Sequence, residues 1–228
     1  MDFDFVQSKM EAINQKVSYM LNKSHLRDFQ LLSREVAPEG VKPIARSVSW
    51  LIQQVVTQNL KRYSQELGFS SIEVPQTKSL TNETYNDIEI WDTAVSFPKD
   101  PNKYYVNIKT CSSSNSRRNK DDISKADKIV DWYRNNPDGI MLLLGVVVDF
   151  RENSLGFTGE VWVANYAWIP DIYVNPRNNN LQSSNYKHTS VRRTNEVFVT
   201  ELRSALQIAF NKKTIKARSD AKLFGTET

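Results

Sequence analysis

The stretch 140-IMLLLGVVVDF-150 is an apolar run of strand length, rich in β-branched residues and free of polar alternation. A strand with one wet face alternates apolar and polar side chains, so an unbroken run has to be covered on both faces. It predicts a central strand with helices packed on both sides of its sheet. Working outward, 160-EVWVANYAWI-169 reads as a second strand, and 69-FSSIEV-74, 85-YNDIEIWDTAV-95 and 103-KYYVNIKT-110 as earlier ones. Helical spacing of apolar residues covers 5–22, then 43–67 between Pro43 and Gly68. It returns from a Ser124 cap through Ala126, Ile129, Val130 and Tyr133 to Pro137, and from Asn195 through Phe198, Leu202, Ala205, Leu206 and Ala209. The order helix, strands, helix, strands, helix predicts an α/β fold: a single domain with a central mixed β-sheet flanked by helices on both faces.

The 228 residues, 39% of them hydrophobic, suffice for one core. Within that one domain the expected parts are N-terminal helices (1–36), a core (43–169), a polar loop (170–194), and a C-terminal helix with a basic tail (195–228), whose segment 211–228 reads as flexible. Thirty Lys and Arg against twenty-six Asp and Glu give a net charge of +4, which permits a polyanionic partner without requiring one. A single cysteine, Cys111, excludes an intramolecular disulfide, and two separated histidines, His25 and His188, do not make a Cys/His zinc site. The acidic start MDFDFVQSKM and the lack of a long apolar run point to an intracellular protein. The five tryptophans fall at periodic positions, as core residues would.

The candidate chemistry lies on the polar faces of two strands. In 104-YYVNIKT-110 the core set is Tyr104, Val106 and Ile108, leaving Tyr105, Asn107 and Lys109 on the other face. In 85-YNDIEIWD-92 the apolar set is Ile88 and Ile90, leaving Asp87 and Glu89. If the strands are neighbours, a carboxylate, an amide oxygen and an ammonium converge. Mg²⁺ takes one or two carboxylates and keeps positions for water and phosphate oxygens, so Asp87, Asn107 and Glu89 are candidate ligands. Such an ion polarises a phosphate, and Lys109 can orient water or stabilise developing charge. The parts together suit phosphodiester hydrolysis.

The pattern Asn86-Asp87 followed by Asn107-Ile108-Lys109 resembles the PD-(D/E)xK nuclease superfamily, most closely its blunt-cutting type II restriction endonucleases; the similarity in order and spacing runs from about residue 45 to 205. The resemblance implies a restriction-endonuclease-like fold, Asp87 as the metal-binding aspartate and Lys109 as the catalytic lysine. Asn107 stands where most members have Asp or Glu, which weakens the metal site by one charge. Gln53, counted back from Gly68, falls where some relatives carry a helix glutamate; it equally reads as a solvated helix glutamine. The resemblance further implies Mg²⁺, double-stranded DNA, a homodimer on a palindromic site, a cognate DNA methyltransferase and a prokaryotic cytoplasm.

Ser112, Arg117, Arg118 and Lys120 follow the catalytic strand and suit DNA phosphates. In 175-NPRNNNLQSSNYKHTSVRR-193, Asn178, Asn179 and Asn180 suit adenine and Arg177, Arg192 and Arg193 guanine in the major groove. Gln76, Lys78 and Asn82 would enter the minor groove, by resemblance alone. His188 without partners reads as a surface or phosphate-contacting histidine. Two alternatives stay open: a repair or junction-resolving nuclease of the same superfamily, and a non-catalytic DNA-binding protein.

Overall fold

The computed structural model of the chain describes residues 2–41, 45–75, 90–112, 121–184 and 186–223. The chain folds as two compact units, Met1–Arg118 with Gly139–Tyr166, and Asn119–Asp138 with Ala167–Thr228.

The first unit is built on a six-stranded mixed sheet. Its helices are α1 (Phe3–Leu21), α2 (Ser24–Arg27) and, after the short strand β1 (Phe29–Gln30), α3 (Ala45–Arg62). Next come β2 (Ser71–Glu73), β3 (Thr93–Ser96) and β4 (Lys103–Ser112). The second unit opens with β5 (Asp121–Lys125) and α4 (Ala126–Asn135). The chain then re-enters the first sheet as β6 (Ile140–Arg151) and β7 (Ser154–Asn165). A 3₁₀ turn at Tyr166–Trp168 leads to β8 (Tyr173–Val174), β9 (Asn180–Ser183) and α5 (Asn195–Leu223). The large sheet runs β1-β7-β6-β4-β3-β2, with β4 and β6 parallel and the other neighbours antiparallel. The α/β class with a mixed sheet is as the sequence predicts.

β6 bears out the reading of its apolar run. Met141 and Leu143 on one face and Leu142 and Leu144 on the other are all fully buried. Gly145 within it is required by packing. A Cβ there would lie 1.8 Å from the indole of Trp162, its register partner on β7.

The helices match with adjustments. α1 buries Val6, Met10, Ile13 and Val17, while Phe5 stays 38% exposed with Lys9 Nζ above its ring. The helix expected over 43–67 ends regularly at Arg62 and tightens into turns. Gly68 closes them at φ +67°, with Phe69 N–H donating to Ser64 O and Gly68 N–H to Gln65 O, the paired bonds of a Schellman stop. Trp50 on α3 departs from the expected core role, being 66% exposed, while Ile52, Val56 and Leu60 form the buried stripe.

Four further corrections have local causes. Ser124 caps nothing: it lies in β5, and Lys125 holds the cap position of α4 without a side-chain bond. The strand expected at 160–169 begins at Ser154 and ends at Asn165, since β6 and β7 form a hairpin through Glu152-Asn153. Asn153 supplies the left-handed turn at φ +58°, and its side chain accepts from Val41 N–H at 2.7 Å. The loop 170–194 carries β8 and β9; β9 pairs with β5 on one side and β8 on the other in a small antiparallel sheet that buries Ile123, Val174 and Leu181. The tail expected to be flexible continues α5 to Leu223; no Gly or Pro interrupts the chain between Asn195 and Gly225.

Candidate active site

β4 keeps the expected alternation. Tyr104, Val106 and Ile108 are buried, while Tyr105, Asn107 and Lys109 are partly exposed. Its neighbour β3 is joined to it by the turn at 97–102, and that turn fixes the register. Asp100 does most of the fixing: its Oδ1 accepts from Asn102 N–H at 2.9 Å and its Oδ2 from the Tyr104 hydroxyl at 2.8 Å, within the turn where Lys99 adopts φ +61°. Burial and this bond to Asp100 push the Tyr104 hydroxyl pKa far upward, so it stays a donor. The ladder that results pairs Thr93 with Val106 and ends there, with Asp92 N–H donating to Val106 O at 2.8 Å.

Beyond that point the strand edge of β4 is held by side chains. Ile108 directs its N–H and C=O to the same side as Val106, where β3 no longer supplies partners. Asp92 Oδ2 accepts the Ile108 N–H at 2.6 Å, and Gln53 Nε2 on α3 donates to Ile108 O at 3.1 Å. Asn107 Nδ2 donates to Ile90 O at 2.5 Å. Asp92, Gln53, Asn107 and Lys109 are thereby drawn around one residue. Trp91 and Tyr105 stack edge to face at 5.3 Å beside them.

The electrostatics of this spot are unusual in two ways. Burial pushes the Asp92 carboxyl above the usual carboxylate range, against the opposing pull of the Ile108 N–H and the Lys109 charge. Among the described residues Asn107 Oδ1 is buried without a hydrogen-bond partner. Buried acceptors are seldom left so, because the lost hydration is uncompensated. An orphaned oxygen beside a desolvated carboxylate fits a small oxygen-seeking cation: a single carboxylate and an amide oxygen are enough for Mg²⁺ that keeps its waters. Among the described residues no three His, Cys, Asp or Glu side chains gather, and Asp92 is the acid described at this spot.

The sequence-predicted positions fare differently. Asn107, Lys109 and Gln53 come together, and Gln53 is anchored on β4 rather than solvated. Asp87 and Glu89 lie outside the described residues, as do Gln76, Lys78, Asn82, Arg117, Arg118 and Lys120. The described part of the expected 85–95 strand is β3 alone, and Ile90 to Asp92 precede it. Asp92 is the acid that the sequence pattern did not reveal. Its signal was the hairpin: pairing Thr93 with Val106 puts Asp92 level with Asn107.

Ser112 ends β4. In the second unit, Asn178 and Asn179 lie in the β8–β9 turn and Asn180 opens β9. Asn179 takes φ +55°, Asn178 Oδ1 accepts from Asn180 N–H at 3.1 Å, and Asn178 Nδ2 reaches Asp122 at 3.3 Å. Arg177 and Arg192 are exposed. Arg193 is a clamp, its side chain only 9% exposed: it donates to Ala167 O at 2.6 Å and to Ile169 O, and pairs with Glu201. Burial pulls its pKa down and Glu201 pulls it back up. His188 is exposed.

Among the described residues no helix is long and apolar enough to cross a membrane. Compared with known protein families and with curated proteins, the chain matches none.

Proposed function

We propose that the chain is a Mg²⁺-dependent endonuclease that hydrolyses phosphodiester bonds in both strands of a short, palindromic double-stranded DNA site, in the manner of a type II restriction enzyme. The observation that carries this reading is the gathering of Asp92, Asn107, Lys109 and Gln53 around Ile108, with an orphaned oxygen and a desolvated carboxylate at its centre. Asp92 and Asn107 would hold the ion; when bound, it polarises the scissile phosphate and lowers the pKa of an attacking water. Lys109, on the same strand face as Asn107, supplies the fixed positive charge that orients water and offsets charge building on the phosphate. Gln53 acts as a positioning residue that holds the Ile108 carbonyl and hence the direction of the strand. A homodimer with one such site per strand matches a two-fold target, and a cognate methyltransferase would protect the host's own copies of that site.

Lys109→Ala separates this reading from a structural one. It is expected to keep specific duplex binding, measured in Ca²⁺ or EDTA, and to cut at least about a hundredfold more slowly, the scale of losing one group that stabilises the reacting centre. Binding and cutting lost together would assign Lys109 to the framework. A second reading, a DNA-binding protein without catalysis, is favoured by Asn107, whose amide leaves the cation site one charge short. It predicts a salt-dependent gel shift and no metal-dependent cleavage.

A further inference from the structure

Helix α5 extends past its own support. Among the described residues its last buried side chain is Ala209; from Phe210 to Lys216 every side chain is exposed, yet the helix runs on to Leu223. From Phe210 to Lys216 that exposed part is about 10 Å of helix at about 1.5 Å per residue. A helix of this length is marginal in water on its own, because most helical stability in proteins comes from packing one face against something.

Charge indicates what that something is. Every charged residue between Leu202 and Ser219 is basic. At about 100° per residue, Lys212, Lys216 and Lys213 fall on one arc about 100° wide. Ile208 and Ile215 border the arc on one side and Phe210 on the other, and all three are exposed. A helix lying on a membrane needs one broad apolar face opposite its lysines. Here the apolar residues are split to the two edges of the basic arc. Self-association through this arc would bring lysine against lysine.

We propose that the C-terminal half of α5 is a docking arm for the phosphate backbone of double-stranded nucleic acid, with Lys212, Lys213 and Lys216 neutralising phosphates. Such interactions carry affinity and register, not sequence. The inference stands on the helix alone and holds whether or not the protein cuts what it binds.

The test uses the full chain, a random-sequence DNA duplex and EDTA, with fluorescence anisotropy read across rising KCl. The slope of log affinity against log salt is expected to become shallower by about 2.7 when Lys212, Lys213 and Lys216 are all changed to Ala, at about 0.9 for each phosphate no longer neutralised. Over a fourfold rise in salt that is a difference of about fortyfold. Lys→Arg at the same three positions keeps the slope, and the melting temperatures of all variants agree because the sites are exposed. Duplex should also raise the far-ultraviolet helical signal of wild type more than that of the triple Ala variant. An unchanged slope overturns the proposal. So does binding to vesicles of anionic phospholipid without binding to duplex, which would make the arm a membrane-surface helix. The assay runs in EDTA and reads binding alone, whereas the nuclease site is read by cleavage in Mg²⁺, so failure of the arm and failure of the nuclease site are read separately.

Discussion

Asp92→Asn is expected to abolish Mg²⁺-dependent cleavage while making the protein more stable. The Asp92 carboxyl is largely buried, and that burial holds its folded-state pKa above the unfolded value. An acid shifted this way subtracts stability once the pH passes its unfolded pKa, and the deficit is full above the folded one. An amide of the same shape can still accept the Ile108 N–H and carries no charge to desolvate. At pH 7 the metal-free variant should melt about 2–4 °C higher, the shift that about 1 kcal/mol produces in a chain of this size. Near pH 3, below the usual carboxylate range, the two melting temperatures should converge. Mg²⁺ should raise the melting temperature of wild type and not that of the variant. A side chain kept only for structure behaves in the opposite way, and a lower melting temperature for Asp92→Asn at pH 7 would move it to that class.

Gly145→Val is expected to be the most damaging single change in the sheet. The first side-chain carbon would arrive 1.8 Å from Trp162 Cε2 and 2.1 Å from Nε1, in the middle of the β6–β7 ladder. Overpacking of this kind costs about 3 kcal/mol, which lowers the melting temperature by about 6–12 °C in a chain of this length. The partner is a side chain, so the clash can be relieved: Gly145→Val with Trp162→Ala should recover part of the loss, visible as a coupling in a double-mutant cycle. Equal melting temperatures for wild type and Gly145→Val would show that Trp162 does not pack over this position.

The parts of the fold that were legible in sequence are those whose burial is one-sided or total. The unbroken run at 140–150 and the alternation at 104–109 each specify which side chains are covered, and the structure covers them. Gly68 announced its helix stop because only a residue tolerant of positive φ fits there. The strands β5, β8 and β9 were hidden by short length and polar composition: each is anchored by one or two buried residues, such as Ile123 in β5 and Leu181 in β9. The β6–β7 hairpin was hidden because Glu152-Asn153 is not one of the glycine-containing pairs that mark two-residue turns. For the site, Asn107, Lys109 and Gln53 were legible from face and spacing. Asp92 was not, because it sits one residue outside β3, where alternation no longer indicates direction; its side chain turns back to the Ile108 N–H instead of following the pleat. The asparagines at 178–180 looked like base-reading groups and are used in the turn itself.

The most direct measurement is a gel of long unmethylated viral DNA incubated with the purified protein, once with Mg²⁺ and once with EDTA. Discrete fragments in the Mg²⁺ lane alone, absent when Asp92→Asn replaces wild type, are the expected result, and sequencing their ends gives the site and the stagger of the cut. Intact DNA in both lanes, with a salt-sensitive mobility shift, would contradict cleavage at Asp92, Asn107 and Lys109 and leave a binding protein whose orphaned Asn107 oxygen serves another purpose.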